Sequence, residues 1–170
     1  MKRLISLATQ VLVTLARIGT GAAFLVIIAA VVVQLLGRSG VIPTVIWTEE
    51  LTRFALLWLT AFGAGLGLRS GALVNVDLVS EALPGRLPWL LRLFAAAVTA
   101  GFAFVLISPA AFFTKIGARQ TAPALGIHMN WVHAAALVAL LVLGIFALLR
   151  VIGMLAGNDD GLPHNAPEEL

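Results

Sequence analysis

The chain reads as an all-α integral membrane protein of four transmembrane helices preceded by an N-terminal interfacial amphipathic helix. Three observations predict this. Of 170 residues, 61% are apolar and 11% charged, with a mean hydropathy of +1.04, whereas soluble domains carry about a quarter charged residues. Four apolar stretches take up most of the sequence. The Lys and Arg residues fall at the borders of those stretches. So short a chain holds a handful of spans and little else, which makes 1–157 one membrane domain with no room for a soluble catalytic unit.

The elements follow in order from bilayer geometry, since a helix rising ~1.5 Å per residue needs about 20 residues to cross roughly 30 Å of hydrocarbon. At residues 2–16, Leu4, Leu7, Ala8, Val11 and Leu15 form one helical stripe and Arg3, Ser6, Gln10 and Arg17 another. That pattern predicts a helix lying in the interface plane. A secretory leader would be apolar all round; the plainer alternative is that the segment lengthens span one. Span one, 18–36, has no charge and ends at Gly37 to Pro43. Span two is expected at 47–68: only 15 residues separate Arg53 from Arg69, so the helix has to start upstream, near Thr44 or Trp47. Thr44 or Thr48 is the expected cap, and Glu49 and Glu50 in the first turn suit the helix dipole.

The connection from Arg69 to Trp89 is broken by Pro84-Gly85 and Pro88, and within it Asn75 to Leu83 reads as a short helix with Asp77 and Glu81 at i, i+4. Spans three and four are expected at 90–113 and 128–150. Residues 158–170 are polar and read as a disordered tail.

Orientation follows from the cations. Lys2, Arg3, Arg17, Arg69, Arg86, Arg92 and Arg150 lie on one side of the four-span layout, against Arg38, Arg53, Lys115 and Arg119 on the other. Seven against four predicts cytoplasmic N- and C-termini.

Several function classes drop out. With no cysteine there is no disulfide, thiolate metal site or thiol nucleophile. The cations are spread along membrane borders rather than gathered on a face, so the basic balance points to the lipid bilayer and its anionic headgroups, not to nucleic acid. His128 and His133 lie about 140° apart on a helix and cannot share one metal or haem. No catalytic, metal or cofactor-binding set is found, so the expectation is a protein that is not an enzyme and holds no cofactor.

What remains is the polar signature Thr48-Glu49-Glu50-Leu51-Thr52-Arg53. Arg53 is i+4 from Glu49 and i+3 from Glu50, the spacing at which helical side chains meet. Intramembrane charges commonly mark transport paths, but the spans hold too few others for a charge to move on to. The expected role is a pair formed by Glu50 and Arg53 that, with Trp58, locks span two in register and docks a partner. Gly63 and Gly67 give span two a small-xxx-small surface for close helix approach. Trp47, Trp89 and Trp131 read as interfacial anchors, and Trp58, about two turns inside, as a packing contact.

The run Glu49-Glu50-Leu51-Thr52-Arg53, then Trp58, Gly63, Arg69-Ser70-Gly71 and Val76-Asp77, resembles the DctQ-like small membrane subunit of tripartite ATP-independent periplasmic (TRAP) transporters. Thr121-Ala122-Pro123-Ala124-Leu125-Gly126-Ile127, followed by Met129 and Trp131, resembles that family's entry into its last span. With four spans at about this length, the resemblance covers nearly the whole chain. It departs from the family in having Leu73 where a histidine is common, and His128 and Asn130 where small or aromatic residues are usual.

The resemblance implies a bacterial inner-membrane protein in a division of labour. A periplasmic binding protein captures an organic acid, a large membrane subunit moves it on the sodium gradient, and the small subunit docks to the large one as a scaffold. On this reading Glu49, Glu50, Arg53, Trp58, Gly63, Gly67 and Asp77 serve the subunit interface or lock the helix. Lys115 and Arg119 steer the binding protein onto the loops at 38–48 and 115–127. The alternatives are a membrane anchor for a redox complex and a stand-alone small oligomeric transporter.

Overall fold

A computed structural model describes residues 2–70 and 85–157. They form four α-helices: α1 Lys2–Arg38, α2 Trp47–Arg69, α3 Leu87–Gly117 and α4 Asn130–Leu155. All four are long and apolar enough to cross a membrane. The segment with Leu73, Asp77 and the expected short helix at 75–83, and the tail at 158–170, lie outside the described residues.

The first helix corrects one expectation. No break separates an interfacial helix at 2–16 from a span at 18–36, because α1 is continuous. The segment contains no proline, and Gly19 and Gly21 weaken a helix by about 1 kcal/mol each without removing a backbone hydrogen bond. At ~1.5 Å per residue, α1 is about 55 Å long, well beyond the hydrocarbon thickness. Its outer stripe stays apolar throughout, with Leu7, Val11, Leu15, Ile18 and Leu25 all exposed.

The helices pack as an open row in the spatial order α1, α2, α4, α3. The α1–α2 and α3–α4 pairs are antiparallel across the 39–46 and 118–129 connections, whereas α2 and α4 run parallel. Among the described residues α3 touches only α4, while α1 packs on α2 and makes a light contact with α4. Close approach is set by particular glycines. A Cβ on Gly65 would come within 2.6 Å of Val142 Cγ1 and into the Phe146 ring, so α2 meets α4 here. The Phe62 ring of α2 lies over Gly19 of α1, where an added Cβ would be 2.6 Å away. The small core joins Val13 and Ala16 of α1, Leu68 of α2, Ala100 of α3, and Phe146 and Ala147 of α4.

Four threonine hydroxyls along the spans are satisfied locally, whereas Thr20 Oγ1 of α1 is buried without a partner among the described residues. Thr52, Thr60, Thr99 and Thr114 each donate to the carbonyl four residues earlier, at 2.8–2.9 Å. Bonding within the helix is what permits such groups in an apolar solvent. Pro109 lies inside α3 and removes one ladder bond without ending the helix.

Candidate functional site

The polar signature lies at the rim of the bundle that carries the 39–46 and 118–129 connections. Trp47 opens α2 after Ile46, which makes no side-chain cap. The expected threonine cap is absent: Thr44 Oγ1 donates to Gly37 O at 3.5 Å, and Thr48, wholly buried within the first turn, donates to Val45 O at 2.9 Å. Both hydroxyls are spent on carbonyls, leaving the first-turn N–H groups of α2 to the favourable field of Glu49 and Glu50.

The two glutamates turn in different directions. Glu49 reaches α1, where its Oε1 accepts from Gln34 Nε2 at 3.1 Å and Arg38 Nη2 at 3.4 Å. Its Oε2 lies 4.0 Å from Arg53 Nη2. Glu50 reaches the α3–α4 connection instead, and its Oε2 accepts from the backbone N–H groups of Ala124 at 2.9 Å and Leu125 at 2.8 Å. The expected pair between Glu50 and Arg53 is therefore replaced. Two backbone N–H groups donate to one carboxylate oxygen, which gives an acceptor to two loop amides at once. Among the described residues Arg53 keeps only its long contact to Glu49, its side chain 78% exposed.

The receiving loop is built for this contact. Thr121 bridges His128, Ala122 N–H donates to Ile127 O at 2.8 Å, Gly126 N–H to Ala122 O at 2.9 Å, and Met129 N–H to Gln120 O at 2.9 Å. Pro123 opens the turn with φ fixed and no N–H, and Gly126 closes it at φ +68°, a conformation costly to residues with a Cβ. The N–H groups of Ala124 and Leu125, left over from this pattern, point together as at the start of a helix. Such a turn binds an anion, and here the chain supplies its own. The two motifs of the sequence, far apart along the chain, are thereby one cluster.

The α3–α4 corner is fixed from below. His133 stacks on Phe113 with ring centroids 3.9 Å apart, and its Nδ1 lies 3.2 Å from Phe113 O, a contact that calls for Nδ1–H donating to that carbonyl. A Cβ on Gly117 would be 2.8 Å from Asn130 N, so glycine lets α3 end against the start of α4. His128, in the loop, is exposed. The two histidines do not converge.

The remaining candidates divide by face. Trp58 points into the row and packs on Phe62, centroids 5.6 Å apart. Arg53, Leu57, Thr60, Ala64 and Gly67 recur at i, i+4, i+7, i+11 and i+14 along the opposite side of α2. The first three are exposed and the last two half-buried. Gly63 flanks this stripe, and a Cβ there would touch nothing within 4 Å. The glycine at the tight helix contact within the chain is Gly65, not Gly63. Lys115, in the last turn of α3, and Arg119, just after it, are exposed on the same rim as the glutamates. Sequence reasoning missed Gln34 and Arg38 as partners of Glu49 and the two amides as partners of Glu50. Only the polarity of Gln34 inside an apolar span pointed toward any of them.

Four membrane-length helices, tied at one rim by a cluster joining the second helix to the last loop, define a small polytopic membrane protein. Its lineage follows from the motifs that meet there. The family model described as the DctQ component of tripartite ATP-independent periplasmic transporters matches residues 27–157, and the chain belongs to that family. It is thus a TRAP transporter small membrane subunit. No curated protein matched the chain.

Proposed function

We propose that the chain is a scaffold. It docks to the large membrane subunit and supports sodium-coupled uptake of an organic acid that a periplasmic binding protein delivers. The observation that supports this best is the outward stripe of α2. Although α2 is flanked on both sides, Arg53, Leu57 and Thr60 are exposed, and Ala64 and Gly67 below them are half-buried. Small residues let a neighbouring helix approach closely, and one cation at the rim gives a partner a polar fix on register. Gly63, open to added volume on this side, widens the surface. The core cluster is Ala, Val, Leu and Phe, and the described residues show no set of convergent donors beside it of the kind an organic anion needs.

On this reading N- and C-termini are cytoplasmic, and the rim with Glu49 and Glu50 faces the periplasm. On that rim Arg38, Arg53, Lys115 and Arg119 outnumber Glu49 and Glu50, so the outward field is cationic. A cationic surface of this kind steers an acidic protein face. Arg53→Ala combined with Gly67→Leu tests the docking: recovery of the large subunit with a tagged copy of this chain is expected to fall about tenfold or more, since one bulky intrusion into a close helix contact costs about 1–3 kcal/mol. Full recovery of an active complex would count against it.

A further inference from the structure

We infer that Glu50 is a positioning residue for binding-protein delivery: its carboxylate holds the 121–127 loop in the shape on which the loaded binding protein lands. The inference rests on the landing role proposed above for that rim. Between Gln120 and His128 only Ala122 is buried and Leu125 half-buried; the other residues are exposed. So little burial cannot fix the loop against the bundle. The hydrogen bonds inside the turn define its local shape but not its place relative to α2.

The bonds from Ala124 and Leu125 to Glu50 supply that placement, because they connect the loop to the first turn of a membrane-spanning helix 74 and 75 residues away in sequence. The tether fixes the carboxylate's position at the foot of the loop, and the rim's cationic balance comes from Arg38, Arg53, Lys115 and Arg119 outnumbering Glu49 and Glu50. Glu49 makes the matching connection on the other side, to Gln34 and Arg38 at the end of α1. Adjacent residues of one helical turn thus bind the ends of α1 and the α3–α4 loop to α2.

The test uses the complete transporter with its large subunit and binding protein in vesicles. Both bonds converge on a single oxygen, which a glutamine amide also offers. Glu50→Ala is expected to speed amide exchange across 120–129 about tenfold or more and to raise the half-saturating concentration of loaded binding protein by about the same factor. The maximal uptake rate per assembled complex stays near wild type, and Glu50→Gln restores most of both effects. A merely structural role would lower that maximal rate and leave half-saturation unchanged. Unchanged exchange in Glu50→Ala overturns the inference, as does unchanged half-saturation when charge reversal at Lys115 and Arg119 raises it. If charge reversal leaves half-saturation untouched, the landing reading fails. Faster exchange then still upholds the tether, and unchanged exchange removes it too.

Discussion

Glu49 and Glu50 are chemically identical neighbours, yet their environments assign them different weights. Glu49 makes long ion-pair contacts in which the side chains of Arg38, Arg53 and Glu49 are 68%, 78% and 50% exposed. Pairs of that kind contribute about 0–1 kcal/mol. Glu50 makes two short bonds to backbone donors that no other described group satisfies, and hydrogen bonds to a charged group are worth about 1.5–3 kcal/mol each before allowance for exposure. Equilibrium unfolding in mild detergent is therefore expected to show Glu49→Ala within about 1 kcal/mol of wild type and Glu50→Ala lower by about 1–3 kcal/mol. Equal effects would mean the tether adds nothing. Gly126→Ala is expected to lose about 1–2 kcal/mol in the same assay, from the cost of a left-handed backbone with a Cβ. This division was not legible in the sequence. Helical spacing pairs Arg53 with either acid, and nothing local says that a carboxylate will leave its own helix for amides on a loop 74 residues on.

At the scale of elements, two glycines of α2 make opposite predictions. Gly65 faces α4 with no room for a methyl group, whereas Gly63 faces open space. Gly65→Ala is expected to destabilise the isolated subunit by about 1–3 kcal/mol through forced separation of α2 and α4. Gly63→Leu is expected to leave the isolated subunit within about 0.5 kcal/mol of wild type while reducing recovery of the large subunit. The two read out together by thermal melting of the subunit and co-purification of the complex; the reverse pattern would show that α2 is rotated from the orientation described. The sequence announced four spans because a run of apolar residues reports length directly. It did not announce which helices are neighbours. Spans apolar on every side carry no periodic face that names a partner, so the order α1, α2, α4, α3 emerges only from packing. The amphipathic stripe at 2–16 misled for a related reason: a pattern of faces shows what a helix touches, but only a breaker such as proline shows where it ends.

The described residues form an open row tied at one rim, with Arg53, Leu57 and Thr60 of α2 exposed on the side where docking is proposed. Family membership was legible from two motifs; that a carboxylate of one binds backbone amides of the other was not. If the row supports a larger partner and carries no cargo, vesicles holding this chain alone are expected to take up no organic anion on an imposed sodium gradient, and vesicles holding the complete transporter are expected to do so. Uptake by the chain alone would remove the scaffold reading. The most direct measurement uses the absence of cysteine. Thr60→Cys and, as a control, Phe102→Cys on the exposed side of α3 are each labelled with a benzophenone maleimide in membranes that also contain the large subunit. After illumination, the label at 60 is expected to join covalently to the large subunit and the label at 102 to lipid. Protein adducts from 102 with lipid adducts alone from 60 would contradict docking through α2.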